Sequence, residues 1–191
     1  MKLQKGKLLA VTAVWLGAFI MINTVAYAAW NSIGVDLVRQ AKSNWCWAAS
    51  LEMSATYLGY NDYDQWDIVK HVKGTSSTPY PNDTGNASDY KNGMKYATGS
   101  DYTATRSSGT ISLSSLNSYM NDSMPVILAL GTYNSSGTRT SGHAVVVFSV
   151  DTANKKFKVK DPANDNDVTY NYDTITDTSQ TRRWDATVKI S

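Results

Sequence analysis

The chain has 191 residues, 42% of them apolar or aromatic and 18% charged, with 18 Lys and Arg against 16 Asp and Glu. That length supports one domain with a real core rather than two, and the near-neutral balance offers no basic patch for nucleic acid or for an anionic membrane. One cysteine and two histidines exclude an internal disulfide framework and argue against a structural zinc site.

The first element reads as a leader. Lys2, Lys5 and Lys7 precede an apolar run over residues 8–22, and Ala26-Tyr27-Ala28 has the small-x-small form of a signal-peptidase site. The run falls short of the ~20 apolar residues of a membrane span. Residues 1–28 are therefore expected to be a secretory signal peptide and residues 29–191 one extracellular domain with no membrane anchor after cleavage. Without the three leader lysines the domain carries 15 basic against 16 acidic residues, or −1 with His neutral.

The next stretch, QAKSNWCWAAS over residues 40–50, holds the only cysteine, Cys46. Ser43 and Asn44 are good N-caps, and Trp47, Ala48, Leu51, Ala55 and Leu58 recur at helical spacing, which predicts a helix over 45–58 stopped by Gly59. Cys46 then sits in the first turn, where unpaired N–H groups and the positive end of the helix dipole favour an anion. A lone cysteine is more often a small buried hydrophobe, so its neighbours must carry the functional argument. Trp45 and Trp47 point to different faces, one expected in the core and one walling a cleft.

A second helix is expected over 64–72, with Asp62 and Gln65 at capping-box spacing and Trp66, Val69 and Val72 as its apolar face. His71, flanked by Lys70 and Lys73, reads as a solvated surface residue. Residues 74–87 form a polar loop, after which Ser88 caps a helix to about Ala97. Asn82, Asn86, Asn121 and Asn134 open glycosylation sequons, which matter only in a host that glycosylates.

The second half turns to strands: 102–106, 126–130, the strong run HAVVVFSV from His143, then 157–160, 168–172 and 183–190, with a short helix capped by Ser112 or Ser114 between the first two. Trp184 is expected in the core. The acidic run DPANDND over 161–167 lacks the Gly and Glu of a calcium loop and reads as a turn. Helices first and hairpin-linked strands second predict an α+β domain, a helical half packed on an antiparallel sheet, with a cleft between the two halves.

Gln40, the NWCWAAS run, Gly142-His143 opening an apolar strand and Asp161-Pro162 ending a later one resemble the bacterial papain-like cysteine peptidases. The resembling group includes peptidases of double-glycine leader peptides, the secreted staphopain type and cysteine-protease effectors of plant pathogens, and the likeness runs from about residue 40 to 190. It implies Cys46 as nucleophile, His143 as general base and then acid, Asp161 as the residue orienting the imidazole, and Gln40 as an oxyanion donor beside the Cys46 N–H. Asn164 is a weaker candidate for the orienting role. No cofactor or metal is implied.

The residue types suit that chemistry on their own. A thiol is an effective nucleophile as thiolate, and an imidazolium at a helix N-terminus can bring cysteine from about 8.5 to about 3–4. The expected function is a secreted cysteine peptidase that cleaves peptide or protein substrates through a thioester. Only 17 positions separate Ala29 from Cys46, too few for a large inhibitory pro-segment, so restraint would fall to an external protein inhibitor or to substrate supply. Two alternatives stay open: an acyltransferase or deamidase using the same residues, and a non-catalytic secreted toxin-like or binding module.

Overall fold

The computed structural model describes residues 29–74 and 80–191. The expected signal peptide, residues 1–28, lies outside the described residues. Among those described, no helix is long and apolar enough to cross a membrane.

Among the described residues, five helices and seven strands follow in the order β1 (Asn31–Ser32), α1 (Cys46–Tyr57), α2 (Gln65–Lys73), α3 (Ala87–Ala97), β2 (Ala104–Ser108), α4 (Leu113–Asn121), β3 (Val126–Tyr133), β4 (Arg139–Asp151), β5 (Lys156–Lys160), β6 (Val168–Asn171), α5 (Tyr172–Thr176) and β7 (Arg182–Ile190). The expected α+β division holds. Three helices precede a single antiparallel sheet of order β2-β7-β3-β4-β5-β6, with β1 added beside β4.

Helix α1 is buried on nearly every side, from Trp47 through Leu51 to Ala55, and its apolar surface is wider than the single face its spacing suggested. A helix apolar all round belongs in a core. Ser54, buried within it, satisfies its hydroxyl by donating to the Ser50 carbonyl at 2.8 Å. The predicted stop is found: Gly59 has φ +96°, its N–H donates to Thr56 O and that of Tyr60 to Ala55 O, the paired bonds of a Schellman end.

The predicted N-caps are not. Trp45 occupies the cap position and gives the first turn no side-chain bond. Asn44 and Ser43 are drawn away by Asn82: the Asn44 N–H donates to Asn82 Oδ1 at 3.0 Å, the Asn44 amide to Asn82 O at 2.7 Å, and Asn82 Nδ2 to Ser43 Oγ at 2.8 Å. A long-range partner has outcompeted the local cap. Similar corrections apply to α2 and α3, whose capping boxes are Asp64 with Asp67 and Asn86 with Asp89. Trp66 is 39% exposed and leaves the apolar face of α2 to Ile68 and Val69; its ring instead meets the edges of Trp45 and Tyr80.

In the sheet, Val126 to Leu130 on β3 and Ala144 to Val147 on β4 are buried at successive positions. Successive side chains point to opposite faces, so both faces of these central strands are covered. Helices α1 and α4 both pack on β4. Trp184 is core as expected, its indole N–H donating to Ala186 O at 2.9 Å. The short elements β1 and α5 carry too little pattern to be read from sequence, and the expected strand 168–172 ends at Asn171, which caps α5.

Candidate active site

Cys46 is the first residue of α1, and α1 lies against β4, which carries His143 opposite Leu130 of β3. Asp161 follows the last residue of β5. The antiparallel register pairing Val146 with Lys160 brings that strand end back alongside His143, although the two residues are 18 positions apart. His143 Nε2 meets Asp161 Oδ1 at 2.5 Å, with side-chain exposures of 19% and 3%. The Cys46 thiol lies beside the imidazole, near enough to raise its pKa, and lines the same cavity. With Nε2 occupied by the carboxylate, Nδ1 is the ring nitrogen left for the sulfur.

Asp161 is itself held from behind. Its Oδ1 accepts from the Ala163 N–H at 2.9 Å and its Oδ2 from the Asn164 amide at 2.7 Å. Asn164 thus supports the carboxylate and does not meet the ring. Burial alone would raise the Asp161 carboxyl, but the His143 ring, the Ala163 N–H and the Asn164 amide outweigh it and hold it below the usual carboxylate range. Burial works against the charged form of His143 as well, yet its bonds to Asp161 and Cys46 prevail and push it up to about 9. The arrangement favours imidazolium at neutral pH.

The remainder of the 161–167 run diverges to separate cations, Asp165 to Arg39 at 2.6 Å and Asp167 to Lys160 at 2.7 Å. Among the described residues no group of three or more His, Cys, Asp or Glu is placed to hold a metal ion.

Cys46 and His143 open onto a cavity of about 130 Å³, lined also by Trp47, Gly85, Tyr90, Arg106 and Arg139. Both tryptophans beside Cys46 are buried, Trp45 fully and Trp47 at 1% exposure, so the expected split between core and wall does not occur. Trp47 serves both ends. Their indole N–H groups donate to Pro81 O and Asp83 O at 2.9 and 3.1 Å, fastening residues 81–85 across the start of α1. Gly85 ends that strap, and a Cβ there would stand 2.4 Å from Trp47 Cγ.

Gln40 lies outside this cavity. Its N–H donates to Pro162 O at 3.0 Å, next to Asp161, and its amide nitrogen donates to the carbonyls of Lys42 and Ser43, both at 2.9 Å. Its Oε1 is buried without a partner. The loop is also tied to α1 and α2, since Gln65 donates to Arg39 O at 2.8 Å, accepts from the Ala41 N–H at 2.7 Å and donates to Glu52. His71 is remote from this chemistry: it stacks on Tyr96 at 4.0 Å and lines a separate cavity of about 510 Å³ that does not include Cys46.

Arg106, Arg139, Tyr90 and Gly85 are site residues that motif reading did not single out. Three stand on β2, β4 and α3 and Gly85 in the loop before α3, and nothing local in the sequence distinguishes them from surface or core positions.

Among known proteins, the Peptidase_C39 like family matches this chain over residues 32–191. Two solved structures share its fold. A protein of Bacillus anthracis described as a C39-like peptidase is 16% identical with TM-score 0.57, over 84% of this chain and 97% of that one. A double glycine motif protease from an AMS/PCAT transporter, solved with the leader peptide, is 17% identical with TM-score 0.51, over 83% and 92%. No curated protein matches the chain.

Proposed function

The chain belongs to the Peptidase_C39-like family, and from that premise we propose a secreted cysteine peptidase that hydrolyses peptide bonds through a thioester on Cys46. The observation that supports this reading is that one ring nitrogen of His143 meets Asp161 at 2.5 Å while Cys46 shares a cavity with His143, leaving the other nitrogen for the thiol. A peptide as substrate class is supported by the neighbour solved with a leader peptide.

In the proposed reaction the Cys46 thiolate attacks the scissile carbonyl carbon, forming a C–S bond while the carbonyl π pair moves to oxygen. The Cys46 N–H, at an uncapped helix start, is suited to bond that oxyanion. On collapse the C–N bond breaks, and the leaving nitrogen takes a proton from His143 Nδ1. Neutral His143 then takes a proton from water as it attacks the thioester, and the sulfur leaves as thiolate beside the restored imidazolium. Asp161 keeps the ring oriented through both halves and stabilises the imidazolium when it forms. To serve as a second oxyanion donor, Gln40 would have to release an amide hydrogen from the Lys42 or Ser43 carbonyl and turn towards the cavity.

The test is mass spectrometry of a diverse peptide pool incubated with the reduced domain and, in parallel, with Cys46→Ala. New cleavage termini that require Cys46 support hydrolysis. Amide adducts or Gln-to-Glu conversion would instead indicate acyl transfer or deamidation, and no Cys46-dependent change would overturn the enzymatic reading.

A further inference from the structure

The cavity beside Cys46 contains two arginines that the proposed reaction leaves unused. Arg106 on β2 and Arg139 on β4 line it together with Cys46 and His143, and no lining residue carries a carboxylate. Arg106 is half-buried, yet among the described residues it has no ion-pair partner. The residues outside the described ones include no Asp or Glu. A partly buried guanidinium with its donors unspent is a standing electrostatic demand.

Arg139 is anchored at one end only. Its Nε donates to Asp185 Oδ2 at 2.6 Å, and that oxygen also accepts from the Tyr133 hydroxyl at 3.0 Å. The two outer nitrogens lie over Gly142, where a Cβ would come within 2.5 and 2.9 Å of them. The glycine before His143 therefore leaves room for a guanidinium beside the reacting strand. Asp185 offsets the charge of Arg139, so Arg106 supplies the net positive charge while Arg139 supplies directed donors.

We propose, resting on the peptidase reading above, that Arg106 and Arg139 form a subsite for a substrate carboxylate next to the scissile bond. The carboxylate is an Asp or Glu side chain or the free C-terminus of a short peptide. A cavity of about 130 Å³ suits one side chain, well below the ~300–1,000 Å³ of pockets for drug-sized ligands. The planar fork of arginine is matched to carboxylate oxygens, and charge-assisted bonds of this kind are about twice as strong as neutral ones.

The test uses internally quenched peptides that differ only in Glu against Gln at each position flanking the bond, each as free acid and as C-terminal amide. For the wild-type protein kcat/KM is expected to favour Glu over Gln by about tenfold or more at one position. In Arg106→Gln the ratio is expected to fall within about twofold, and in Arg106→Glu to invert in favour of Gln. A preference confined to the free-acid peptides assigns the carboxylate to the chain end. Equal wild-type rates for Glu and Gln, with no preference for free acids, overturn the subsite, and that ratio needs no variant to fold. Should the wild type cleave no peptide, the peptidase reading fails separately. Titration calorimetry of the Cys46→Ala protein with the same peptides then decides the subsite, tighter binding of a Glu or free-acid peptide supporting it and equal affinities overturning it.

Discussion

His143 turns Nε2 to Asp161 at 2.5 Å, which leaves its other ring nitrogen for Cys46 in the cavity they share. This contact sets a pH window. The imidazole is pushed up to about 9 against burial by Asp161 and Cys46, above the ~6.5 of a free histidine. A group raised on folding contributes stability that is full below its unfolded value and lost as pH rises through the folded one. The carboxylate shows the same contact from the other side: lowered on folding, it contributes fully above ~3.9 and less as pH falls through its folded value. Thermal stability from this pair should be greatest between roughly pH 4 and 6.5. Turnover should decline on an alkaline limb near 9, where imidazolium is lost. In Asp161→Asn that limb should move to lower pH; an unmoved limb would assign it to another group.

Substitutions within the relay should not add. Cys46→Ala and His143→Ala are each expected to remove nearly all turnover, and the double variant should be little worse than either, because the residues act as one unit. Asp161→Ala should be milder in rate but more damaging to stability. It removes the acceptor of the Ala163 N–H and of the Asn164 amide; both residues are exposed, so water can replace that acceptor and each lost bond costs about 0.5–1.5 kcal/mol. Steady-state kinetics and thermal melts on the four variants check both statements.

Alkylation tests the thiol directly. Cys46 stands at a helix start beside His143, so iodoacetamide at pH 5.5 should modify it far faster than free cysteine, with parallel loss of activity. A rate equal to that of free cysteine would mark an ordinary thiol.

Gly85→Ala probes the strap over the site. The added methyl would sit 2.4 Å from Cγ of Trp47, a ring only 1% exposed and unable to withdraw. Overpacking of this kind costs about 1–3 kcal/mol, read as a lowered melting temperature. Because Gly85 and Trp47 both line the Cys46 cavity, kcat/KM should fall further than the melting temperature explains. A variant with wild-type kinetics would show that the strap does not shape the site.

The secretory reading of residues 1–28 predicts a mature N-terminus at Ala29, within a residue either way, from the Ala26-Tyr27-Ala28 site. Edman sequencing or intact mass of protein recovered from the medium checks it. An intact Met1 would sink the leader.

The elements that were legible are those whose signal is local. Periodic segments such as α1 and the apolar runs of β3 and β4 announce themselves, because a helix or a buried strand needs its pattern within a few residues. Cap identity was less legible: Asn44 and Asn82 are 38 positions apart, and their pairing removed Ser43 and Asn44 from the role their type suits. Trp66 misled for a related reason, since an aromatic at helical spacing can spend its face on neighbouring rings at the surface.

From the sequence alone came the kinds of group available and their separation: one thiol in a first helical turn, a histidine opening an apolar strand, and an aspartate ending another. Tertiary structure decided which atoms meet. The register of β5 on β4 turned Asp161 towards Nε2 of His143, and the packing of α1 on β4 left the other nitrogen for Cys46. It also brought Arg106, Arg139 and Gly85 to the same cavity from three distant segments. Hydrogen bonds and charges act over a few ångströms of space, whatever number of residues lies between the groups, so a cavity assembled from distant strands leaves no local mark on the chain.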